Sequence, residues 1–312
     1  MGHFLVTGGA GFIGSHLASA LIARGDRVRV LDNLSTGKRE NLADLADAID
    51  FVEADFRDAA ACARACDGID VVFHEGALPS VPKSVDNPPA SHEANVNGTF
   101  NVLLAARDAG VKRVVYAASS SAYGDTPTLP KTEDMLPTPL SPYAVQKLMG
   151  EYYCKVFYDC WGLETLSLRY FNVFGSRQDP ASQYAAAIPA FVTAILKDEP
   201  PTIYGDGEQT RDFTHIDNVV HANLLAADAA ETHGEVINIA CGERVSINQI
   251  IAQINRLLGK SVTPNYVEPR AGDVKHSLAD IGLARKVIGF EAKIDFDEGL
   301  KLAIEWYSQN PT

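Results

Sequence analysis

Short apolar runs punctuate the first 175 residues, at 4–7, 28–32, 50–53, 71–74, 114–118 and 166–171. They are rich in Val, Leu and Phe and flanked by Gly, Asp and Asn, which predicts strands. Few of them alternate cleanly between apolar and polar positions, as expected of strands buried on both faces. Between them, residues 12–24, 92–108 and 143–158 carry apolar side chains at helical spacing. Strand–helix alternation of this kind predicts an α/β fold, a doubly wound parallel sheet with helices on both faces. After Phe174 the rhythm changes. Residues 176–184 are polar, a helix is predicted near 185–196, and a Pro-Pro break leads into a short strand at 202–204. The run 236–240 reads as a strand returning to the main sheet, and 247–258, 281–287 and 296–307 read as helices of a smaller lobe. The predicted organisation is a nucleotide-binding domain over 1–175, joined by about 214–242. A mainly helical substrate lobe takes 176–213 and 243–312, with a cleft between the two.

Composition narrows the partners. The 312 residues are 46% hydrophobic and 21% charged, an ordinary globular balance. No apolar run reaches the roughly 18 residues needed to cross a bilayer. The formal charge of −13 repels nucleic acid and anionic membranes, so neither is an expected partner. The start of the chain runs directly into a strand without a signal-peptide pattern, which predicts a cytoplasmic protein. Five cysteines, Cys62, Cys66, Cys154, Cys160 and Cys241, form no CxxC, and Cys62 and Cys66, on a predicted helix, have no nearby His, so reduced thiols and no metal site are expected.

The first strand leads into VTGGAGFIGSH, where Gly8, Gly11 and Gly14 stand at GxxGxxG spacing. Glycines at a strand-to-helix turn let the backbone approach a pyrophosphate at a helix N-terminus, the Rossmann-type arrangement. Asp32 ends the second strand, 18 residues past Gly14, where a carboxylate binds ribose hydroxyls and repels a 2′-phosphate. NAD is therefore expected in preference to NADP, although Lys38 and Arg39 follow closely. Asp55, after the third strand, is placed either for an adenine amine or as a helix N-cap.

Tyr143 and Lys147 form a YxxxK pair on one face of a helix that begins near Pro142. Phenols titrate near pH 10, and a neighbouring ammonium together with a cationic nicotinamide should favour the phenolate, giving a base near neutrality. Ser119 lies at the carboxyl end of the fifth strand, where open α/β sheets bind ligands. Its hydroxyl can hold a substrate oxygen while the tyrosine takes the proton, although any serine of 119–121 can instead cap a turn.

The ordered motifs VTGGAGFIGSH, LDNLSTG, NVNGTFNVL, SSSAYGD, SPYAVQK, LRYFNVFG, YGDGEQTRDFTHIDN and EPRAGDVKHSLAD resemble the extended short-chain dehydrogenase/reductase family. Within it, the chain looks most like the NAD-dependent UDP-hexose 4-epimerases, over essentially its whole length. The resemblance implies catalysis by Ser119, Tyr143 and Lys147 through a 4-keto sugar. It places NAD on Gly8, Gly11, Phe12, Ile13, Gly14, Asp32, Asn33, Ser35, Thr36, Gly37, Asp55, Phe56, Gly76, Ala77, Asn95, Tyr143, Lys147 and Phe171. It places the UDP-sugar on Ser120, Ser121, Asn172, Ile188, Tyr204, Arg211, Arg270, Asp273 and Ser277. In that assignment Tyr204 faces uracil, Arg211 and Arg270 pair with the pyrophosphate, and Asp273 meets the uridine ribose. It also implies a homodimer through a four-helix bundle built on 92–108 and 143–158. Pro79 stands where many galactose-type epimerases carry lysine, and Ser277 falls at a gate position where a bulky tyrosine excludes a 2-acetamido group. The implied substrates are UDP-GlcNAc and UDP-GalNAc, with UDP-Glc and UDP-Gal as a second pair. A UDP-glucuronate 4-epimerase is the nearest alternative and would need a cation such as Arg177 or Lys83 for the C6 carboxylate. Dehydratases and decarboxylases of the family need an acid after the catalytic serine, where this chain has Ser120 and Ser121. A non-catalytic NAD-binding regulator would have lost the YxxxK pair.

Overall fold

The computed structural model describes residues 1–180, 187–269 and 274–310. In chain order the first half gives β1 (His3–Thr7), α1 (Phe12–Ala23), β2 (Arg27–Asp32), β3 (Ile49–Glu53), α2 (Ala59–Cys66), β4 (Val71–His74), α3 (Val81–Asp86), α4 (Pro88–His92), α5 (Thr99–Asp108), β5 (Arg113–Ser119), α6 (Pro142–Trp161) and β6 (Glu164–Tyr170). The second half adds β7 (Val173–Phe174), α7 (Ala187–Leu196), β8 (Thr202–Tyr204), β9 (Thr210–Arg211), β10 (Thr214–His215), α8 (Ile216–Asp228), β11 (Glu235–Ile239), β12 (Val245–Ser246), α9 (Ile247–Leu258), β13 (Asn265–Val267), α10 (Gly282–Ile288) and α11 (Phe296–Gln309).

Seven strands form one parallel sheet in the order β11-β6-β5-β4-β1-β2-β3. The order reverses beside β1, so a crevice opens at the carboxyl ends of β1 and β4. One face packs on α1, α8 and α10 through residues such as Val6, Leu17, Val219 and Phe290. The other packs on α2, α5 and α6 through Leu5, Cys62, Leu103, Tyr116 and Phe157. A third core, in the lobe, joins α7, α9 and α11. Helix α9 illustrates how the sequence builds it. Ser246 and Gln249 close a capping box, Ile247, Ile250, Ile251 and Ile254 bury one face, and Gly259 at φ 65° ends the helix. Each buried isoleucine contributes about 2 kcal/mol.

β11 comes from beyond α7–β10 and pairs with β6 from Glu235↔Leu166 to Ile239↔Tyr170. That join is locked by Arg113, fully buried at the amino end of β5. Its guanidinium donates to the carbonyls of Ala226, Ala227 and Ala229 at 2.8–3.0 Å and pairs with Glu164.

Besides the short elements α3, β7, β9, β10, β12 and β13, which the pattern does not predict, two longer stretches differ from its reading. The predicted single helix over 92–108 is interrupted by a π-helical turn, Glu93–Gly98, between α4 and α5. The Asn95 amide is drawn into a buried network with Leu78, Ser91 and Gln146, and Gly98 lies under the Phe56 ring. Helix α8 was not anticipated. It is capped by His215, an unusual N-cap, rather than by Ser, Thr, Asp or Asn.

Candidate active site

The glycine loop crosses the crevice between β1 and α1. Gly8 has φ +66°, and a Cβ there would lie 2.7 Å from the Gly76 Cα, so two backbones touch where no side chain fits. A Cβ on Gly14 would lie 2.3 Å from the Gly8 carbonyl oxygen, which is what lets α1 start this close to the loop. Gly11 caps α1 without a side chain, so the first-turn N–H groups at Phe12, Ile13 and Gly14 keep the open donor set that suits a phosphate. The Asp32 carboxylate accepts from the N–H of Ala10 at 2.9 Å and of Leu34 at 2.8 Å, tying the glycine loop to the turn after β2. Ser35 and Thr36 are exposed on that turn, and Gly37 packs against the Asp32 carboxylate. This surface fits a dinucleotide, and its buried carboxylate is unsuited to a 2′-phosphate.

Asp55 takes a hydrogen bond from the Asn33 amide at 2.7 Å and an ion pair from Arg57, which holds its carboxyl below the usual range. It is not an N-cap. Asp58 caps α2 instead. The Phe56 ring covers Gly76 and Gly98 and meets His74 edge-on. Asn95 is buried, with its carbonyl accepting from Leu78 N–H at 2.8 Å, so it shapes the 76–78 loop through protein contacts. Gly76 donates to the Thr7 hydroxyl, Ala77 is half-buried beside it, and Phe171 is buried against Tyr123.

Ser119, Tyr143 and Lys147 come together at the carboxyl ends of β5 and β6. Ser119 ends β5, and its hydroxyl accepts from Ser121 Oγ at 2.8 Å. Ser141 caps α6, Pro142 opens it, and Tyr143 N–H donates to the Ser84 hydroxyl of α3, fixing where the phenol stands. Lys147, one turn on, is 3% exposed. It donates to the Ala117 carbonyl at 2.7 Å and lies 5.0 Å from the Tyr116 ring centroid.

The expected phenolate depends on a cationic nicotinamide as well as on Lys147, and the protein's own groups alone do not supply it. Burial pushes Tyr143 up to about 12, with the Ser119 hydroxyl pulling it back. Burial also draws Lys147 down to about 8, opposed by Glu75 and Glu151. The ammonium is spent on Ala117 rather than on the phenol, so the chain's own groups leave Tyr143 a neutral donor at pH 7.

Of the residues assigned to the sugar nucleotide, Ser120 and Ser121 begin the 3-10 turn after β5. Asn172 is exposed just past β6, and Ile188 is buried in the lobe core with Phe191 and Ile195. Tyr204 ends β8, 37% exposed, and Arg211 donates to the Thr210 and Lys275 carbonyls at 3.0 Å. Ser277 is 9% exposed, its N–H bonded to the Thr210 carbonyl and its hydroxyl buried with no hydrogen-bond partner among the described residues. Arg270 and Asp273 lie outside the described residues. Of the two cations considered for a uronate, Arg177 donates to Ser19 on α1, and Lys83 is exposed on α3 next to Ser84.

Sequence reasoning missed three acids, Glu151 and Asp212 buried and Glu75 half-buried with its Oε2 enclosed. Glu151 sits four residues after Lys147 on α6 and makes a forked pair with Arg169. Asp212 binds the N–H groups of Ala279, Cys241 and Gly242, and burial pushes its carboxyl up to about 7. Glu75 follows β4 directly. Only Glu151 carried a local signal, its i+4 spacing from Lys147.

Comparison with known proteins agrees with this geometry. The family model described as "NAD dependent epimerase/dehydratase family" matches residues 4–240. A putative UDP-glucose 4-epimerase of Methanocaldococcus jannaschii is 39% identical over 308 residues, covering 98% of each chain. The solved UDP-N-acetylglucosamine 4-epimerase of Methanobrevibacter ruminantium, in complex with UDP-N-acetylmuramic acid, superposes with a TM-score of 0.95 at 40% identity over 99% of each chain. The UDP-glucose 4-epimerase of Thermotoga maritima, with UDP-glucose, gives 0.94 at 37% identity over 99% of this chain and 100% of that one. The chain belongs to the NAD-dependent epimerase/dehydratase family and stands among its UDP-sugar 4-epimerases, isomerases of the extended short-chain dehydrogenase/reductase type.

Proposed function

We propose that the protein interconverts UDP-GlcNAc and UDP-GalNAc, and UDP-Glc and UDP-Gal as a second pair, by epimerisation at C4. The observation that carries the reaction is the meeting of Ser119, Tyr143 and Lys147 at the strand ends beside the glycine loop. Tyr143 exchanges a proton with the sugar 4-hydroxyl, and Ser119 holds the same oxygen by hydrogen bond. Lys147, anchored on Ala117, presents its remaining N–H groups to the nicotinamide ribose. Bound NAD supplies the hydride acceptor and donor for C4 of the sugar, and its oxidised ring supplies the positive charge that lowers the phenol from its buried value. Gly8, Gly11, Phe12, Ile13, Gly14, Asp32 and the 33–37 turn hold the cofactor.

Support for the acetamido sugars comes from Ser277. Its small side chain is buried, and its hydroxyl lacks a protein partner. A polar atom in that condition is suited to a ligand group. Tyr204, Arg211, Arg270 and Asp273 are assigned to UDP. Arg177, bound to α1, gives no support to a uronate substrate.

The assembly we propose is a homodimer through α5 and α6. Phe100, Val145, Tyr152 and Val156 on these helices are 37–59% exposed, an apolar face of the kind that a second copy covers. Residence in the cytoplasm is supported by five free cysteines, and no helix among the described residues is long and apolar enough to cross a membrane. The deciding experiment incubates the purified protein with UDP-GlcNAc, UDP-Glc or UDP-GlcA, without and with added NAD, and resolves the epimers by NMR. Formation of UDP-GalNAc supports the reading. Conversion of UDP-Glc alone removes the Ser277 argument, and conversion of UDP-GlcA alone replaces the substrate.

A further inference from the structure

Beneath the Ser–Tyr–Lys group lies a set of buried charges that proton exchange at Tyr143 does not require. Glu75 is its least explained member. It follows β4 directly, one step past the His74↔Tyr116 pairing. The ladder therefore carries it beside Ala117, the residue whose carbonyl receives the Lys147 ammonium. Its Oε1 accepts from the Tyr170 hydroxyl at 2.8 Å, and the Asn223 amide of α8 donates to that hydroxyl at 2.8 Å. Its Oε2 is buried and has no hydrogen-bond partner among the described residues. A bare carboxylate oxygen inside a protein is costly, so its charge must be compensated nearby.

Lys147 is the cation that feels it. The groups facing Lys147 come from four elements. Tyr143, Glu151 and Cys154 stand on α6, with Tyr116 on β5, His74 on β4 and Glu75 just past it; Arg169 on β6 backs Glu151. His74 is neutral, because burial pushes its ring down to about 3, and the Cys154 thiol is pushed up to about 12. Glu151 is already committed, with Arg169 Nε on one oxygen at 2.9 Å and Nη2 on the other at 2.7 Å. Glu75 is thus the carboxylate with capacity to spare. With Glu75 ionised, the buried set of Lys147, Arg169, Glu75 and Glu151 sums to zero. With Glu75 neutral it carries one uncompensated positive charge.

We propose that Glu75 is a positioning residue for epimerisation, its buried carboxylate acting as the counter-charge that keeps Lys147 an ammonium across the working pH range. The inference rests on the role given above to Lys147. Glu75 is the largest influence that raises Lys147 against the downward pull of burial, and burial pushes Glu75 itself up to about 7 even with the Tyr170 hydroxyl and Lys147 pulling it back. Removing the Glu75 charge therefore lets Lys147 lose its proton at lower pH, and activity should fall on the alkaline side alone.

The test is kcat against pH from 6 to 10 for the wild type, Glu75→Gln, Glu75→Asp and Tyr170→Phe. The substrate is whichever UDP-hexose the wild type epimerises. Glutamine keeps the acceptor for Tyr170 and removes only the charge. Its alkaline limb should move down by one unit or more, an approximately tenfold loss at pH 9, with kcat below pH 7 and the KM of the UDP-sugar unchanged. Glu75→Asp and Tyr170→Phe keep the charge and should retain the wild-type limb. A wild-type profile in Glu75→Gln overturns the proposal, as does an equal loss at every pH or a moved limb in either of the other variants. If Glu75→Gln does not fold, those two variants decide. Unmoved limbs in both support the charge, and a moved limb in either overturns it. A wild type that epimerises no UDP-hexose would instead defeat the functional reading on which this rests.

Discussion

Truncating Glu151 should destabilise the protein severely, and removing Arg169 with it should undo most of the damage. The two side chains are 2% and 4% exposed, and they meet as a fork with both carboxylate oxygens engaged. In Glu151→Ala the guanidinium stays buried without its forked partner, with the Tyr123 side chain and the more distant Glu133 as the polar groups left near it. Breaking a buried pair from one side costs about 3–5 kcal/mol, most of it the desolvation of the stranded charge. The Tyr123 ring, 4.7 Å from the guanidinium carbon, is already in place in the parent and offsets nothing new. In Glu151→Met with Arg169→Met no charge is stranded, and the apolar replacements fill similar volume. That double variant should lie within about 2 kcal/mol of the wild type. Urea unfolding at pH 7.5, followed by far-ultraviolet circular dichroism, gives each free energy by linear extrapolation. A loss below about 1 kcal/mol in Glu151→Ala would show that water or movement rescues Arg169. A double variant as unstable as the sum of the single ones would refute the coupling outright.

Ser277→Tyr should abolish conversion of UDP-GlcNAc first and spare UDP-Glc; equal loss on both, measured as kcat/KM, counts against a gate at this position. Tyr143→Phe should lower kcat by about 10²–10⁴-fold with the melting temperature unchanged, and turnover near the wild type would remove the tyrosine from the reaction. His74 carries a pH prediction. Its folded value of about 3 lies below the unfolded 6.5, so its contribution is complete above pH 6.5 and is lost as pH falls toward 3. At pH 5 the loss is about 2 kcal/mol, and His74→Asn should flatten the fall in unfolding free energy between pH 7 and 5 by that amount; an unaltered slope would show that the ring is not the source.

The parallel sheet was legible because its strands are short apolar runs between turn residues, and predicted and observed bounds agree within two residues. The break at Glu93–Gly98 was not, since what opens that helix is the hold of Asn95 on Leu78 and Gln146, a contact 51 residues away. Of the site, Gly8, Gly14, Tyr143 and Lys147 were readable because a turn or a helix sets their spacing. Glu75 was invisible for the opposite reason. Its hydrogen-bond partner stands 95 residues downstream, and its charge acts across strand ends that no local pattern links. For Tyr143, sequence shows the neighbouring lysine but not the depth of burial or the carbonyl that occupies the ammonium, so how much of the phenol's activation must come from the cofactor was not legible.

The weave of β11 into the main sheet bears on how this chain can be re-engineered. A protein stopped after residue 175 would lose the strand that covers β6 and expose a bare edge, a template for aggregation. It would also lose the Ala226, Ala227 and Ala229 carbonyls, leaving the Arg113 guanidinium with Glu164 alone. Chimeras that graft another enzyme's sugar preference onto this one therefore cannot be made at a single crossover. Residues 216–239 must travel with the sheet they complete, and the substrate side must be exchanged as two separate inserts.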